Sequence, residues 1–225
     1  MDLLFYKNLI ENKYGEKFEK LFNLLTEHNK MYNLTSITGR EEVFLKHFLD
    51  SVVGESYLKQ GADVCEIGSG GGFPSLPLKI IREDLKFTLI ESTGKKCSYL
   101  QTAVDNLGLE GVKVLNIRAE EGARDPSLRE KFDCAVARAV ARLNTLCEYC
   151  LPFVKVGGVF VAYKGDAAEE IKEAQNAVKV LGGRLEECNA FELNGEKRCL
   201  VVIRKEASTP AKYPRGRGLE KKKPL

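Results

Sequence analysis

The chain predicts an α/β fold. A Rossmann-like sheet of seven strands, mostly parallel, closes in a C-terminal antiparallel hairpin and is preceded by an N-terminal helical segment. Three observations carry this reading. From residue 63 onward, short apolar runs alternate with amphipathic stretches, the order that builds a parallel sheet covered by helices on both faces. The first apolar run ends in four glycines within five residues, Gly68-Ser69-Gly70-Gly71-Gly72. The last two runs are joined by Asn194-Gly195 rather than by a helix, which signals a hairpin.

Residues 2–32 place Leu3, Leu4, Tyr6, Leu9 and Ile10, then Phe18, Leu21, Phe22, Leu24 and Leu25, at helical spacing, with Gly15 dividing two helices. Turn formers and hydroxyls fill 29–38, and 39–51 reads as another helix. Strands are expected at 63–67, 86–90, 112–117, 132–136, 158–163, 184–192 and 199–203. Helices are expected at 74–82, opened by Pro74, at 95–107, ended by Gly108, at 142–150, and at 167–181, ended by Gly182-Gly183. The chain divides into a helical extension (1–60), a sheet domain (61–205) and a basic tail (206–225), all within one compact domain.

Composition narrows the class. With 44% hydrophobic residues in 225, the chain can build a substantial core. No apolar run approaches a membrane span, and the N-terminus has neither the basic region nor the apolar core of a signal peptide, so a cytoplasmic location is expected. The seven cysteines are scattered through apparent core segments and read as buried thiols of a reducing compartment. Cys147-Glu-Tyr-Cys150 is a single pair, and the chain has only His28 and His47 to add; no metal site is expected. Residues 204–225 hold eight Lys/Arg against two Asp/Glu, a net of +6, leaving 27 against 30, a net of −3, on the other 203 residues. The tail is a basic appendage on a mildly acidic body.

The glycine turn follows a strand and precedes a helix, so it lies at the carboxyl edge, where open α/β sheets bind ligands. Glu91 ends the second apolar run, 23 residues after Gly68, where an acid can accept hydrogen bonds from both ribose hydroxyls of a nucleotide. A Walker loop needs Gly-Lys-Ser/Thr, and here Gly-Phe-Pro stands instead. A dinucleotide loop needs a third glycine where Phe73 stands, which disfavours an NAD-dependent oxidoreductase. Glu66 would repel a pyrophosphate but would attract a cationic ligand. Glu66-Ile-Gly68-Ser-Gly70-Gly71-Gly72 resembles the acidic-x-Gly-x-Gly-x-Gly pattern of S-adenosylmethionine (SAM) methyltransferases, whose cofactor carries a sulfonium and an ammonium and no phosphate.

A more specific resemblance runs from end to end. Asn33-Leu34-Thr35, Lys46-His47-Phe48 with Asp50-Ser51, the glycine loop running into Phe73-Pro74, Arg138-Ala139-Val140, and the tail from Tyr213-Pro214-Arg215 to Lys-Lys-Pro-Leu225 are similar to the ribosomal RNA small subunit methyltransferase G family, also called glucose-inhibited division protein B. The resemblance implies SAM-dependent methylation of N7 of a specific guanosine in 16S, the small-subunit ribosomal RNA. It implies a cofactor site of Glu66, Gly68, Gly70, Phe73, Glu91, Ala119, Glu120 and Arg138, with Ala119-Glu120, after the third strand, holding adenine. It implies positioning by Arg138, His47 and Asn33 and no general base. Arg118 and Arg198 would support the target pocket, and Lys212, Arg215, Arg217, Lys221 and Lys222 would contact RNA phosphates, in a monomer working on small-subunit RNA or its assembly intermediates. Three departures stand out: Glu66 where Asp is usual, Ser75 where a glycine usually succeeds Phe-Pro, and Leu219-Glu220 where Thr-Pro is commoner.

Plainer readings stand beside these. Asn33 suits a helix cap, His47 a packed interior, Arg138 an internal ion pair, Arg198 a charged strand edge and the tail a solvated charge run. A SAM-dependent methyltransferase of a small molecule and a non-catalytic SAM-binding protein are the alternative functions.

Overall fold

A computed structural model describes residues 2–225. Seven strands, β1 (Asp63–Ile67), β2 (Lys86–Glu91), β3 (Val112–Asn116), β4 (Phe132–Arg138), β5 (Val154–Lys164), β6 (Gly183–Leu193) and β7 (Glu196–Lys205), form one sheet in the order β3-β2-β1-β4-β5-β7-β6. The first five are parallel, and β7 runs antiparallel between β5 and β6. The chain reverses direction across the sheet at β1, so β1 and β4 part at their carboxyl ends and open a crevice there.

The two-residue period of the strands sorts their side chains onto two cores. Val64, Leu89, Val136, Val161 and Val202 face one side, under the N-terminal helices and the helices Ser75–Ile81 and Gly94–Leu107. Cys65, Ile90, Ala135, Phe160 and Ile203 face the other, under the helices Leu143–Cys150 and Ala168–Val180. Both faces are covered, as a parallel sheet requires. β5 begins at Val154, earlier than the expected 158, because pairing with β4 jumps from Phe132↔Val154 to Cys134↔Val159. The surplus residues bulge, with Gly157 at φ +85, so the Gly157-Gly158 pair bends the strand instead of preceding it.

The N-terminal helices belong to the first core. The helix Gly15–Tyr32 buries Phe18, Leu21 and Leu25 on one stripe, and Asn33 ends it in the left-handed region at φ +51, a conformation Asn tolerates. The next helix begins at Arg40–Val43, widens into a π turn over Phe44–Leu49 and finishes at Asp50–Val52. The wider turn shifts the register of the last helical residues and buries His47, Asp50 and Ser51 together.

The segment 206–225 lies against the second face. Tyr213 and Glu220 are buried, and Leu225 packs on the second core. Arg215 pairs with Glu148, which is fully buried, through its backbone N–H, Nε and Nη2 at 2.7–3.2 Å. Lys205 is also buried, and it donates to Leu151 O and pairs with Glu130 at 3.1 Å. Burial holds its ammonium down, at about 8. Arg204 pairs with Glu186 as well, so three of the eight cations counted between 204 and 225 serve carboxylates of the fold.

Candidate active site

Two concavities share the carboxyl edge of the sheet. The first is framed by backbone. The Gly68 and Ser69 N–H groups donate to Ile90 O at 2.8 and 3.2 Å, which folds the glycine loop over the end of β2. Glu91 is buried, and its two carboxylate oxygens accept from Gly70 N–H at 3.0 Å and Thr93 N–H at 2.8 Å. The acid thus ties the loop to β2 while keeping further lone pairs for a ligand. Gly68 adopts φ +70, and a Cβ there would stand 2.7 Å from Val140 Cγ2, so both the conformation and the space demand glycine.

Glu66 is fully buried. One carboxylate oxygen accepts from Ser75 N–H at 3.3 Å, while the other has no partner, nor does the Ser75 hydroxyl. Burial pushes the carboxyl up to about 8, against the pull of the Ser75 contacts and Arg138. An unpaired buried acid calls for a cation. Glu66 and Ser75, two of the departures from the family pattern, meet here in space.

The second concavity, about 390 Å3, is framed by side chains: Lys46, His47, Asp50, Arg138, Tyr163, Lys164, Glu196 and Arg198 among them. Arg138, at the end of β4, is mostly buried. It donates to Lys46 O at 3.0 Å and Asp50 Oδ2 at 3.1 Å, and its Nη2 lies 2.9 Å from His47 Nδ1. A guanidinium has no acceptor, so Nδ1 accepts and the ring proton sits on Nε2, which donates to Thr35 Oγ1 at 2.8 Å. Burial first, and then the Arg138 charge, hold the imidazole down at about 3; it is neutral at physiological pH. The His47 ring stacks on Phe73, 4.6 Å between centroids and 16° between planes, and the guanidinium lies 5.1 Å over the same ring. Asp50 also faces Arg198 Nε at 3.5 Å. Its carboxyl is raised by burial, with both arginines opposing the shift.

The sequence-derived residues separate between these sites. Gly68, Ala119 and Glu120 line the first concavity, and His47, Arg138 and Arg198 the second; Gly70 is tied to Glu91 in the glycine loop, and Glu66 lies under that loop against Ser75. Phe73 is not on the glycine-loop side alone, since its ring backs the acceptor-side His47 and Arg138. Arg118, expected at the target pocket, lines the first concavity with Gly68, because it caps the short helix Ala119–Gly122 after β3. Asn33 is exposed and serves as the helix end, while Thr35 makes the contact with His47. Arg215 is taken up by Glu148, whereas Lys212, Arg217, Lys221 and Lys222 are exposed. Sequence reasoning missed Thr35, Tyr163, Lys164 and Glu196. Asn33-Leu34-Thr35 was a usable signal for the first; the others are ordinary strand residues until β5 and β7 are paired.

Val140 and Ala139 are consecutive, yet Val140 lines the first concavity and Ala139 the second. A larger cavity of about 550 Å3 lies at the opposite edge of the sheet, around Lys59, Asp133, Lys155 and Glu186. It holds none of the unpartnered buried polar atoms, so the chemistry is placed at the carboxyl edge.

A family model described as rRNA small subunit methyltransferase G matches residues 14–201. The chain belongs to this family. A "Ribosomal RNA small subunit methyltransferase G" of Pelotomaculum thermopropionicum is 48% identical over 222 residues, covering 96% of this chain and 93% of that protein. One of Lactobacillus delbrueckii subsp. bulgaricus is 45% identical over 217 residues, covering 93% and 91%. Among solved structures, M. jannaschii TYW2 in complex with AdoMet superposes with a TM-score of 0.59 at 14% identity, covering 76% of this chain and 79% of that one. A SAM-dependent methyltransferase from Aquifex aeolicus gives 0.56 at 18%, covering 80% and 97%. At such identities these two speak for the fold alone. The protein is a SAM-dependent methyltransferase with the seven-stranded sheet that its sequence predicts.

The residues suit SAM. The unpaired Glu66 oxygen has the charge to match an ammonium, Glu91 keeps lone pairs free beyond the two backbone N–H groups it accepts, and Ala119-Glu120 line the concavity beside Gly68. The concavity beside Gly68 measures about 130 Å3, below the ~300–1,000 Å3 usual for small-molecule sites. Val140, beside Gly68, forms one of its walls. Among the described residues, no helix is long and apolar enough to cross a membrane.

Proposed function

We propose that this protein methylates N7 of a specific guanosine in 16S ribosomal RNA, as a cytoplasmic monomer acting on small-subunit RNA or an assembly intermediate. The observation that carries the reading is the shared wall. Consecutive residues at the end of β4 border the SAM-type concavity and a second one walled by Lys46, Arg138, Lys164 and Arg198 against Asp50 and Glu196. Each of these cations is paired with a carboxylate, Lys46 with Glu42 and Glu196, Arg138 with Asp50, Lys164 with Glu170 and Arg198 with Glu196 and Asp50, and the phosphate of a nucleotide, unlike a neutral metabolite, would compete for them.

When bound, SAM supplies an electrophilic methyl on a sulfonium. The chain's own groups then have a short list of tasks. Glu66 holds the cationic methionine end, Glu91 the ribose and the backbone after β3 the adenine. Phe73, His47 and Arg138 form a stacked, pre-organised floor for a planar base, and Lys46 and Arg198 stand at the rim for phosphate. Guanine N7 carries a free lone pair and no proton, so no general base is needed. The neutral His47, with both ring nitrogens engaged, fits a wall better than a proton shuttle. Rate then comes from alignment, worth up to about 7–11 kcal/mol.

The test uses labelled SAM with small subunits and with naked 16S RNA carrying either guanosine or 7-deazaguanosine at the target. Label in the guanosine substrate alone supports the reading. Label in the deaza substrate refutes N7 as acceptor, and label only in a metabolite mixture favours the small-molecule alternative.

A further inference from the structure

The glycine-loop concavity has a wall that the cofactor motif does not explain. Beside Gly68, Arg118 and Glu120 it is lined by Tyr149, from the helix Leu143–Cys150, and by Lys221, four residues from the last residue of the chain. We propose that the C-terminal segment 213–222 is a built part of the cofactor site, with Tyr149 and Lys221 closing its adenosine half. This rests on assigning that concavity to SAM.

The segment is held there by contacts that a loose RNA-binding arm would not need. Thr145, Glu148 and Tyr149 lie three and four residues apart, on one face of their helix. The Thr145 hydroxyl donates to Glu220 O at 3.0 Å, and Glu148 accepts from Arg215 three ways. Tyr149, next to Glu148 in the chain, turns to the concavity. Arg129 donates to Tyr213 O at 2.9 Å and Thr209 O at 2.8 Å, and Arg124 to Pro214 O. The Glu220 carboxylate caps the turn by accepting from Gly216 N–H. Releasing the segment would leave Glu148 fully buried without its cation, a costly state. The docked arrangement is therefore the stable one, and it carries Lys221 to the rim.

The chemistry at that rim suits adenosine. Purine ring nitrogens and ribose oxygens accept hydrogen bonds, so an ammonium can serve them, and a tyrosine ring offers an aromatic surface to a purine. The sulfonium and ammonium of SAM belong at the other end, by Glu66, away from Lys221. The opposite placement would set like charges together. Lys221, although exposed, thus passes from the RNA contacts inferred from sequence to the cofactor wall, leaving Lys212, Arg217, Lys222 and Lys223 as the exposed basic groups of the tail that line no concavity.

The test is calorimetry with two probes, SAM and 5′-methylthioadenosine, which has the adenosine half and no methionine. Lys221→Ala should weaken both by a similar factor, about tenfold for a lost charged hydrogen bond, with an unchanged melting temperature. Lys221→Arg should restore most of the affinity. A chain ending at Gly218 should lose at least as much as Lys221→Ala. Equal affinity of Lys221→Ala and the parent for both probes overturns the proposal, whether or not RNA binding falls. A parent that binds neither probe would instead sink the assignment of the concavity to SAM.

Discussion

The two concavities at the carboxyl edge are built by opposite means. The cofactor side is mostly main chain, with a glycine loop folded on Ile90 O and two acids, Glu66 and Glu91, each holding backbone N–H groups of that loop or its helix. The acceptor side is side chain on side chain, with His47, Asp50, Arg138 and Arg198 drawn from a helix and two strands and mutually satisfied. A backbone site is local in the chain and rigid by connectivity. A side-chain site is held only by its own network, and so should fail as a unit when one member is removed.

The largest effect should come from breaking that network. Arg138→Ala leaves Asp50 buried with Arg198 alone at 3.5 Å. Removing one partner of a buried pair costs about 3–5 kcal/mol, so denaturant titration should show that loss and RNA methylation should collapse. SAM affinity of the folded fraction should change by only a few fold. A large loss of SAM binding with intact stability would erase the distinction between the two sites.

Glu91→Ala is the complementary cut. Losing a charged hydrogen-bond partner should cost roughly 1.5–3 kcal/mol, or about ten- to a hundredfold in SAM affinity, while RNA affinity stays level. Calorimetry with an unchanged SAM constant in a folded variant would remove Glu91 from the cofactor site.

Glu66 sharpens the contrast through pH. Its carboxyl lies at about 8 before a cation arrives, so binding the ammonium of SAM must expel a proton below that pH. SAM affinity should therefore fall as pH drops below about 8, by up to about tenfold per unit, and the binding heat should depend on the buffer's ionisation. Glu66→Gln should flatten both. The linked stability runs with the neutral form: it is present below the ordinary carboxyl value of 4.5 and lost as pH rises through about 8. Glu66→Gln should thus gain stability relative to the parent on the alkaline side. A parent with pH-independent SAM binding from about 6 to 9 would place the ammonium elsewhere.

The smallest expected effect is none. His47, held near 3 by burial and Arg138, does not titrate in the working range. The single-turnover rate at saturating SAM should be nearly flat between about pH 6.5 and 9. The depressed imidazole contributes stability that is present above its ordinary 6.5 and is lost as pH falls towards 3. A rate profile bending with an apparent value near 7 would make His47, or a neighbour, an acid or base after all.

The sequence by itself determined the sheet and the glycine loop at its carboxyl edge. Alternation of apolar runs placed all seven strands, and Asn194-Gly195 placed the hairpin. The glycine loop and the Glu91 that ties it down were readable because a turn, its preceding strand and the acid ending the next strand are written within one βαβ unit. Only the tertiary structure decided the rest. Tyr163 and Lys164 have no signature of their own, and His47 joins Arg138 only because a π turn and the order of β1 and β4 bring residues 91 apart within 2.9 Å. The tail read as free positive charge, since sequence counts charges without their partners. Glu148, far earlier in the chain and fully buried, turns Arg215 inward and brings Lys221 to the concavity beside Gly68. Local chemistry is legible where the interacting groups are neighbours in sequence. Where a buried carboxylate must find its cation across the fold, packing makes the choice.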